Sequence, residues 1–172
     1  MTEELTQEYQ LAHETTLRQL KDFMDAYGTE GLADVGGAGY RSRLAVFGWY
    51  PDTYDVSLDE LEGEGTVHDI CLKPLPKKYD TVICCNTFEH IIDPFRAARN
   101  IMDSMEPGGH LFLTTVWKYP FHAYREVMDT YRYTHQALSG LFRGLEEIRC
   151  WYETETHPEG AERVTYVGKK PS

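Results

Sequence analysis

A glycine-rich turn near the start of the chain is the first feature whose residue types could do chemistry. The run Asp34-Val35-Gly36-Gly37-Ala38-Gly39 follows a short apolar segment and precedes a helical one. Glycines at such a turn let the backbone approach a bound ligand and adopt dihedral angles closed to other residues. Many α/β turns contain glycine for purely structural reasons, so this turn alone does not establish a binding site.

Two acidic positions follow the turn at the ends of later apolar segments. Asp55 lies about 20 residues after Asp34, the spacing at which βαβ units place an acid on ribose hydroxyls. The structural alternative for Asp55 is an exposed aspartate at a strand end. Asp69 and Ile70 end the next segment, where the carboxylate could accept a hydrogen bond from an exocyclic amine and the isoleucine could stack on a planar base.

The segment Asn86–Pro94 (N-T-F-E-H-I-I-D-P) makes the pattern specific. With Asp34-x-Gly36, Asp55, Asp69-Ile70 and Glu106–Leu111 (E-P-G-G-H-L), it gives five motifs in the order seen in class I S-adenosylmethionine-dependent methyltransferases. The chain most closely resembles the type 11 group, in which L-E-H-V-x-D-P follows the fourth strand and K-P-G-G ends the next helix. Asp129–Thr134 (D-T-Y-R-Y-T) is similar to the D-Y-W-R-F-T segment of one branch, so the resemblance covers about residues 30–145.

This resemblance implies S-adenosylmethionine as cofactor and a role for each matched position. The glycine turn would face the methionine part, with Asp34 reaching its amino group through water. The remaining contacts would be Asp55 to the ribose, Asp69 and Ile70 to the adenine, and Asn86 and Phe88 to the sulfonium side. A sulfonium cation is favoured beside aromatic faces and carboxylates.

The turn departs from the family pattern D-x-G-x-G-x-G because it is one residue shorter. Two outcomes are consistent with this difference. Either the turn is tightened around the same ligand, or the cofactor site has been lost. The short crossover Leu58–Gly65 raises the same question, since it would remove part of the wall around the adenine.

Methyl transfer from a sulfonium mainly requires that nucleophile and methyl group be aligned and water be excluded. A general base contributes only when the acceptor must lose a proton. The candidates for that base are His90, His122 and Asp129. For His90, the alternative is a structural residue at a helix start.

An aromatic region after the fifth strand is the predicted acceptor pocket. Its substrate-contacting candidates are Tyr124, Tyr131, Arg132 and Tyr133. The alternative for Arg132 is a clamp on Asp129 or Glu89 that holds the loop, because the guanidinium fork suits carboxylates.

The elements that must position these residues alternate between strand and helix. Apolar spacing predicts helices over residues 3–27, 40–47, 94–105 and 129–143, and strands over residues 32–35, 53–57, 66–70, 80–85, 110–117, 146–152 and 163–167. The last two strands are expected to form an antiparallel hairpin. We therefore expect an α/β, Rossmann-like, doubly wound and mostly parallel sheet of about seven strands, with ligand at the carboxyl ends of the strands. The expected organisation is a single domain over residues 1–172, with an N-terminal helix over 1–28 and the core over 30–172.

Composition excludes several classes of protein. The chain has 172 residues, 28 acidic against 17 basic, and a formal net charge of −11, which argues against a protein held on duplex DNA by phosphate neutralisation. No apolar run is long enough to span a bilayer and no signal peptide is evident, so we expect a cytoplasmic protein. The cysteines and histidines show no ligand spacing, so no metal is expected. The absence of G-x-S-x-G argues against a hydrolase, and the absence of G-x-G-x-x-G against a nicotinamide oxidoreductase.

The sequence thus predicts methyl transfer from S-adenosylmethionine to an oxygen or nitrogen of a small-molecule or saccharide-like acceptor. The alternative is a non-catalytic protein of the same fold that serves as a binding or assembly partner. A homodimer stays open as the assembly state.

Overall fold

A seven-stranded sheet forms the centre of the computed structural model, which describes residues 3–37, 41–55, 65–123, 127–153 and 162–172. The strands are β1 (Leu32–Val35), β2 (Asp52–Asp55), β3 (Thr66–Val67), β4 (Tyr79–Cys85), β5 (Met105–Lys118), β6 (Glu146–Tyr152) and β7 (Glu162–Lys169). Their order across the sheet is β3-β2-β1-β4-β5-β7-β6.

The sheet is parallel from β3 to β5 and antiparallel beyond it. β1 pairs with β2 and β4 in parallel, and β5 pairs with β4 in parallel. β7 then runs antiparallel between β5 and β6. This order and the terminal hairpin confirm the predicted α/β, Rossmann-like fold.

Helices cover both faces of this sheet. They are α1 (Glu3–Tyr27), α2 (Arg41–Ala45), α3 (Pro94–Asp103) and α4 (His135–Leu141), with a 3₁₀ helix at Phe88–His90. Asp93 caps α3 by accepting a hydrogen bond from Arg96 N at 3.1 Å, and Pro94 occupies the first turn, where its missing N–H has no cost.

Alternation along the central strands supplies two apolar cores. On one face, Leu20, Phe23 and Met24 of α1 pack with Ile83 of β4 and Phe112 of β5. On the other face, side chains of α3, of α4 and of the residue directly after α4 pack against the intervening strand residues: Ala97, Ala98, Ile101, Leu138 and Phe142 against Val82, Cys84, Leu111 and Leu113. The cysteines of β4 are buried thiols on opposite faces, as adjacent strand residues must be.

Element boundaries differ from the prediction most clearly at α4, β5 and β3, which ends at Val67 rather than at residue 70. The helix predicted over residues 129–143 begins only at His135, because Thr134 Oγ1 caps it by accepting from Ala137 N at 3.1 Å. The residues before this cap form an extended loop. β5 starts at Met105 rather than at residue 110, and the predicted crossover Leu58–Gly65 lies outside the described residues apart from Gly65. Within the described part of the chain, no helix has the length and apolarity required to cross a bilayer.

Candidate active site

The parallel strands bring the predicted cofactor residues to one edge of the sheet. β1 ends at Val35, opposite Tyr54 of β2, and β4 ends at Cys85, opposite Thr114 of β5. The residues that follow these strands therefore lie side by side. This edge is where an open α/β sheet binds its ligand.

The glycine turn lies tightly against its neighbours. Gly36 has a φ of 78° and donates its N–H to Tyr54 O at 2.7 Å. A Cβ on Gly36 would overlap the Thr87 side chain, and a Cβ on Gly37 would overlap the Asp34 carboxylate. Both positions thus require glycine for steric reasons. Gly39 lies outside the described residues.

Asp34 is a buried carboxylate directly beneath this turn. Its side chain has no exposed surface, and neither carboxylate oxygen has a hydrogen-bond partner among the described residues. Burial, with a further contribution from the charge of Asp55, raises the pKa of Asp34 to about 8. An unpartnered buried carboxylate is costly, and a nearby cationic group would remove that cost.

The acids of the next two strands are placed differently from each other. Asp55 ends β2 and is buried within electrostatic range of Asp34. Asp69 follows β3 and is half-buried, and its Oδ1 accepts from Cys71 N at 2.8 Å, which closes a local turn. Ile70 is buried, and its carbonyl accepts from Asn100 Nδ2 at 2.7 Å.

The residue after β4 has an unusual backbone conformation. Asn86 has a φ of 50°, the one positive φ outside glycine in the described chain. Its N–H donates to Thr114 O at 2.8 Å, which continues the β4–β5 ladder past the strand end. Strain of this kind at the centre of the carboxyl edge is typical of functional positions.

Phe88 does not flank this pocket, contrary to the sequence prediction. Its side chain has no exposed surface and its ring contacts Tyr133 and Phe142, with centroids 6.0 and 5.6 Å away. The same packing buries Tyr133, whose hydroxyl donates to Phe88 O at 3.2 Å. Both aromatic rings are therefore core residues and offer no surface to cofactor or acceptor.

Glu89 fastens the loop that follows β5 to the 3₁₀ helix. Its backbone oxygen accepts from both Thr130 N and Thr130 Oγ1 at 2.7 Å. Its buried side chain accepts from Thr115 Oγ1 at 2.6 Å. His90 adds a third link, because its Nδ1 lies 2.6 Å from Met128 O.

An ion pair within the same loop matches the clamp considered for Arg132. Arg132 donates to both carboxylate oxygens of Asp129, with Nη2 at 2.7 Å from Oδ2, and Nε donates to Tyr119 O at 3.2 Å. Asp129 also accepts from His122 N at 2.8 Å. The hydrogen bond from Arg132 holds the pKa of Asp129 well below its usual range, so this carboxylate is a weak base.

The three predicted catalytic candidates come together where the loop after β5 meets the 3₁₀ helix. The rings of His90 and His122 lie edge to face with centroids 5.0 Å apart, and His122 Nδ1 is 3.3 Å from Asp129 Oδ2. Of the predicted substrate residues, Tyr131 is exposed and donates its hydroxyl to Ile92 O at 3.3 Å. Tyr124 lies outside the described residues.

A buried polar group on the terminal hairpin was not anticipated from sequence. Arg163 of β7 donates from Nε to Asn86 Oδ1 at 2.9 Å, while its Nη1 is buried without a partner among the described residues. Glu153 accepts from Thr165 Oγ1 at 3.0 Å, and burial raises the pKa of Glu153. No sequence motif marks these residues, because only the antiparallel pairing of β7 with β5 brings them to the carboxyl edge.

The comparisons with known proteins agree with this geometry. A family model described as "Methyltransferase domain" matches residues 36–156, well over half of the chain. The chain belongs to the methyltransferase domain family.

Solved methyltransferases share the fold of this family member. Magnesium protoporphyrin IX methyltransferase (ChlM) from Synechocystis PCC 6803, solved with bound SAH, has a TM-score of 0.73 at 15% identity, covering 99% of this chain and 89% of that one. N-methyltransferase NodS from Bradyrhizobium japonicum WM9 has a TM-score of 0.70 at 13% identity, covering 94% and 97%. Ubiquinone biosynthesis O-methyltransferase from Proteus mirabilis (strain HI4320) is 39% identical over 41 residues, which is 24% of this chain and only 17% of that enzyme.

The residues at the carboxyl edge of this methyltransferase-family chain fit the cofactor that the resemblance implies. Among the described residues, the Asp34 carboxyl group has no hydrogen-bond partner, so it is available to interact with the cationic amino group of the cofactor. Gly36 and Gly37 let the backbone of the turn pack directly against Thr87 and Asp34, where a Cβ would overlap those side chains. Asp55 places a second buried carboxylate at the end of β2.

Proposed function

We propose that the chain transfers the methyl group of S-adenosylmethionine to an oxygen or nitrogen of a small-molecule or saccharide-like acceptor. The observation that carries the proposal is Asp34, a buried carboxylate without a partner in the described chain, beneath a sterically required glycine turn. A cationic ligand group above that turn explains why the fold retains this costly residue.

The cofactor supplies a methyl group already activated by the sulfonium. The turn at Gly36 and Gly37 would receive its methionine part, with Asp34 acting through the turn or a water molecule, since it has no exposed surface. Asp55 would accept hydrogen bonds from the ribose hydroxyls, and Asp69 with Ile70 would border the adenine.

The protein's remaining task is to position the acceptor and exclude water. The loop after β5 is fixed for this purpose by Glu89 and by the Arg132–Asp129 pair. The Nδ1 atoms of His90 and His122 face backbone carbonyls, at 2.6 and 3.1 Å. Their Nε2 atoms are thus left to accept a hydrogen bond from an acceptor hydroxyl. Tyr131, with 41% of its surface exposed, would border the acceptor.

Titration calorimetry with S-adenosylhomocysteine tests the cofactor site. We expect one-to-one binding in the micromolar range, about −8 kcal/mol. The Asp55→Asn variant should bind at least about 10-fold more weakly, because it loses charge-assisted hydrogen bonds to the ribose. Asp103→Asn, an exposed change at the end of α3, is the matched control and should bind normally.

Methyl transfer itself is tested by incubation with S-adenosylmethionine labelled in the methyl group and a panel of hydroxyl and amine acceptors. Transfer of the label to a small-molecule product would support the proposed methyltransferase activity. Tight cofactor binding with no transfer to any class of acceptor would favour the non-catalytic alternative. Absence of cofactor binding would contradict the proposal. It would indicate that the turn, one residue shorter than the family pattern, has lost the cofactor site.

A further inference from the structure

Three potential metal ligands meet where the loop after β5 contacts the 3₁₀ helix. Glu89, His90 and His122 each offer one ligand atom, and these atoms lie within 4.8 Å of one another. Glu89 is buried, whereas both histidines are half-buried and reachable from solvent. The sequence gives no metal-binding spacing, because Glu89 and His90 are adjacent and His122 comes from a loop far along the chain.

Both histidines are held as metal-binding histidines usually are. His90 Nδ1 lies 2.6 Å from Met128 O, and His122 Nδ1 lies 3.1 Å from Pro120 O and 3.3 Å from Asp129 Oδ2. A proton on Nδ1 that bonds to such oxygens leaves the Nε2 lone pair free. Histidine ligands characteristically donate the other ring N–H to a carbonyl or carboxylate in this way.

The carboxylate of the trio is supported in the same manner. Glu89 Oε2 accepts from Thr115 Oγ1 at 2.6 Å, and the Glu89 backbone oxygen is bonded to Thr130. Asp129, which orients His122, is itself fixed by Arg132. Each potential ligand therefore has its own partner, which restrains its orientation.

We propose that Glu89, His90 and His122 bind one divalent transition-metal ion of the zinc type. Two histidines and one glutamate are a ligand set that holds Zn²⁺ with a further coordination position open. The ion would bind the Nε2 atoms of His90 and His122, which would then no longer accept a hydrogen bond from an acceptor hydroxyl. The open position would then take an oxygen of the acceptor, a step that rests on the proposed function.

The site is tested with the metal alone, without cofactor or acceptor. Zn²⁺ is titrated calorimetrically into protein that has first been freed of metal with a chelator. We expect one saturable site in the wild type and at least about 10-fold weaker binding in His122→Ala. This substitution leaves the backbone bond from His122 N to Asp129 in place. His135→Ala, outside the trio with its Nδ1 on the Tyr152 hydroxyl, should bind like the wild type.

Two further measurements separate this site from other ligands and from misfolding. Co²⁺ in place of Zn²⁺ should give a visible spectrum without thiolate charge transfer, which excludes Cys71 and Cys150 as ligands. Glu89→Gln should also weaken Zn²⁺ binding while circular dichroism and urea unfolding report a folded protein. Zn²⁺ binding that is unchanged in both His122→Ala and Glu89→Gln, or absent in the wild type, would overturn the proposal. Neither result depends on S-adenosylhomocysteine binding, so failure here is distinguishable from failure of the proposed function.

Discussion

The buried Asp34 carboxylate makes the stability of the protein depend on pH in a direction opposite to that of most acidic residues. Its pKa rises from 3.8 in a model peptide to about 8, chiefly through burial. Between these two values the folded state holds a proton that the unfolded state releases. Stability contributed by Asp34 is therefore present below about pH 4 and is lost as the pH rises towards 8.

The size of the effect follows from the shift. Each pKa unit corresponds to about 1.4 kcal/mol, so the two pKa values set an upper limit of about 6 kcal/mol across the window. The local slope approaches about 1.4 kcal/mol per pH unit when one full proton separates the two states. An asparagine amide does not titrate in this range, so Asp34→Asn should remove that slope.

Urea unfolding of wild type and Asp34→Asn from pH 5 to pH 9 measures the difference directly. We expect the stability of the wild type to fall relative to the variant as the pH rises, with Asp103→Asn following the wild type. At pH 8–9, where Asp34 can ionise, the Asp34→Asn variant should also bind S-adenosylhomocysteine more weakly, because it lacks the negative charge that would act on the amino group through the turn or a water molecule. Parallel pH profiles for wild type and Asp34→Asn would refute the assignment of an unpartnered, proton-binding Asp34.

Two other substitutions test the turn and the loop. Gly37→Ala should destabilise the fold by about 1–3 kcal/mol in urea unfolding, because its Cβ would overlap the Asp34 carboxylate. The control Gly140→Ala, in open space on α4, should be neutral or stabilising. Equal effects of the two substitutions would contradict the steric requirement for glycine at position 37. Arg132→Lys should lower the free energy of unfolding by about 1–3 kcal/mol, since lysine cannot donate to both Asp129 oxygens in the way that arginine does. It should also speed proteolysis of the loop after β5. The exposed substitution Arg143→Lys is the control. An Arg132→Lys variant as stable as the control would rule out the clamp.

The fold is predictable because its signals are local. Short apolar runs mark the central strands and Pro94 marks the start of α3, so the parallel core and the terminal hairpin follow from sequence alone. The spacing of residues 129–134 is compatible with a helix and therefore predicts one. In the structure their hydrogen bonds go instead to Glu89 and to the Asp129 carboxylate, contacts that no local pattern reports.

The placement of a candidate site residue is predictable where one strand end supplies it, and less so where packing determines it. Asp34, Gly36 and Asp55 follow directly from strand ends in a parallel sheet. Phe88 and Tyr133 belong to motifs that do lie near the site, but motif membership does not determine which way a ring points. Arg163 reaches Asn86 only because β7 returns antiparallel beside β5, a pairing between residues far apart in the chain.

In the proposed function, cofactor binding and acceptor positioning belong to separate parts of the structure. Asp34, Gly36 and Asp55 belong to β1 and β2, while His90 and the loop after β5 are joined through Glu89 to β4 and β5. Because the side chains of His90, Glu89 and Arg132 bond to partners in the loop and in β5 rather than to the glycine turn, we expect a change in the loop to alter transfer more than cofactor affinity. A catalytic and a non-catalytic protein that both bind the cofactor would then differ on the acceptor side. That side holds Glu89, His90 and His122, so once cofactor binding is established, what these three residues bind decides between the two functions.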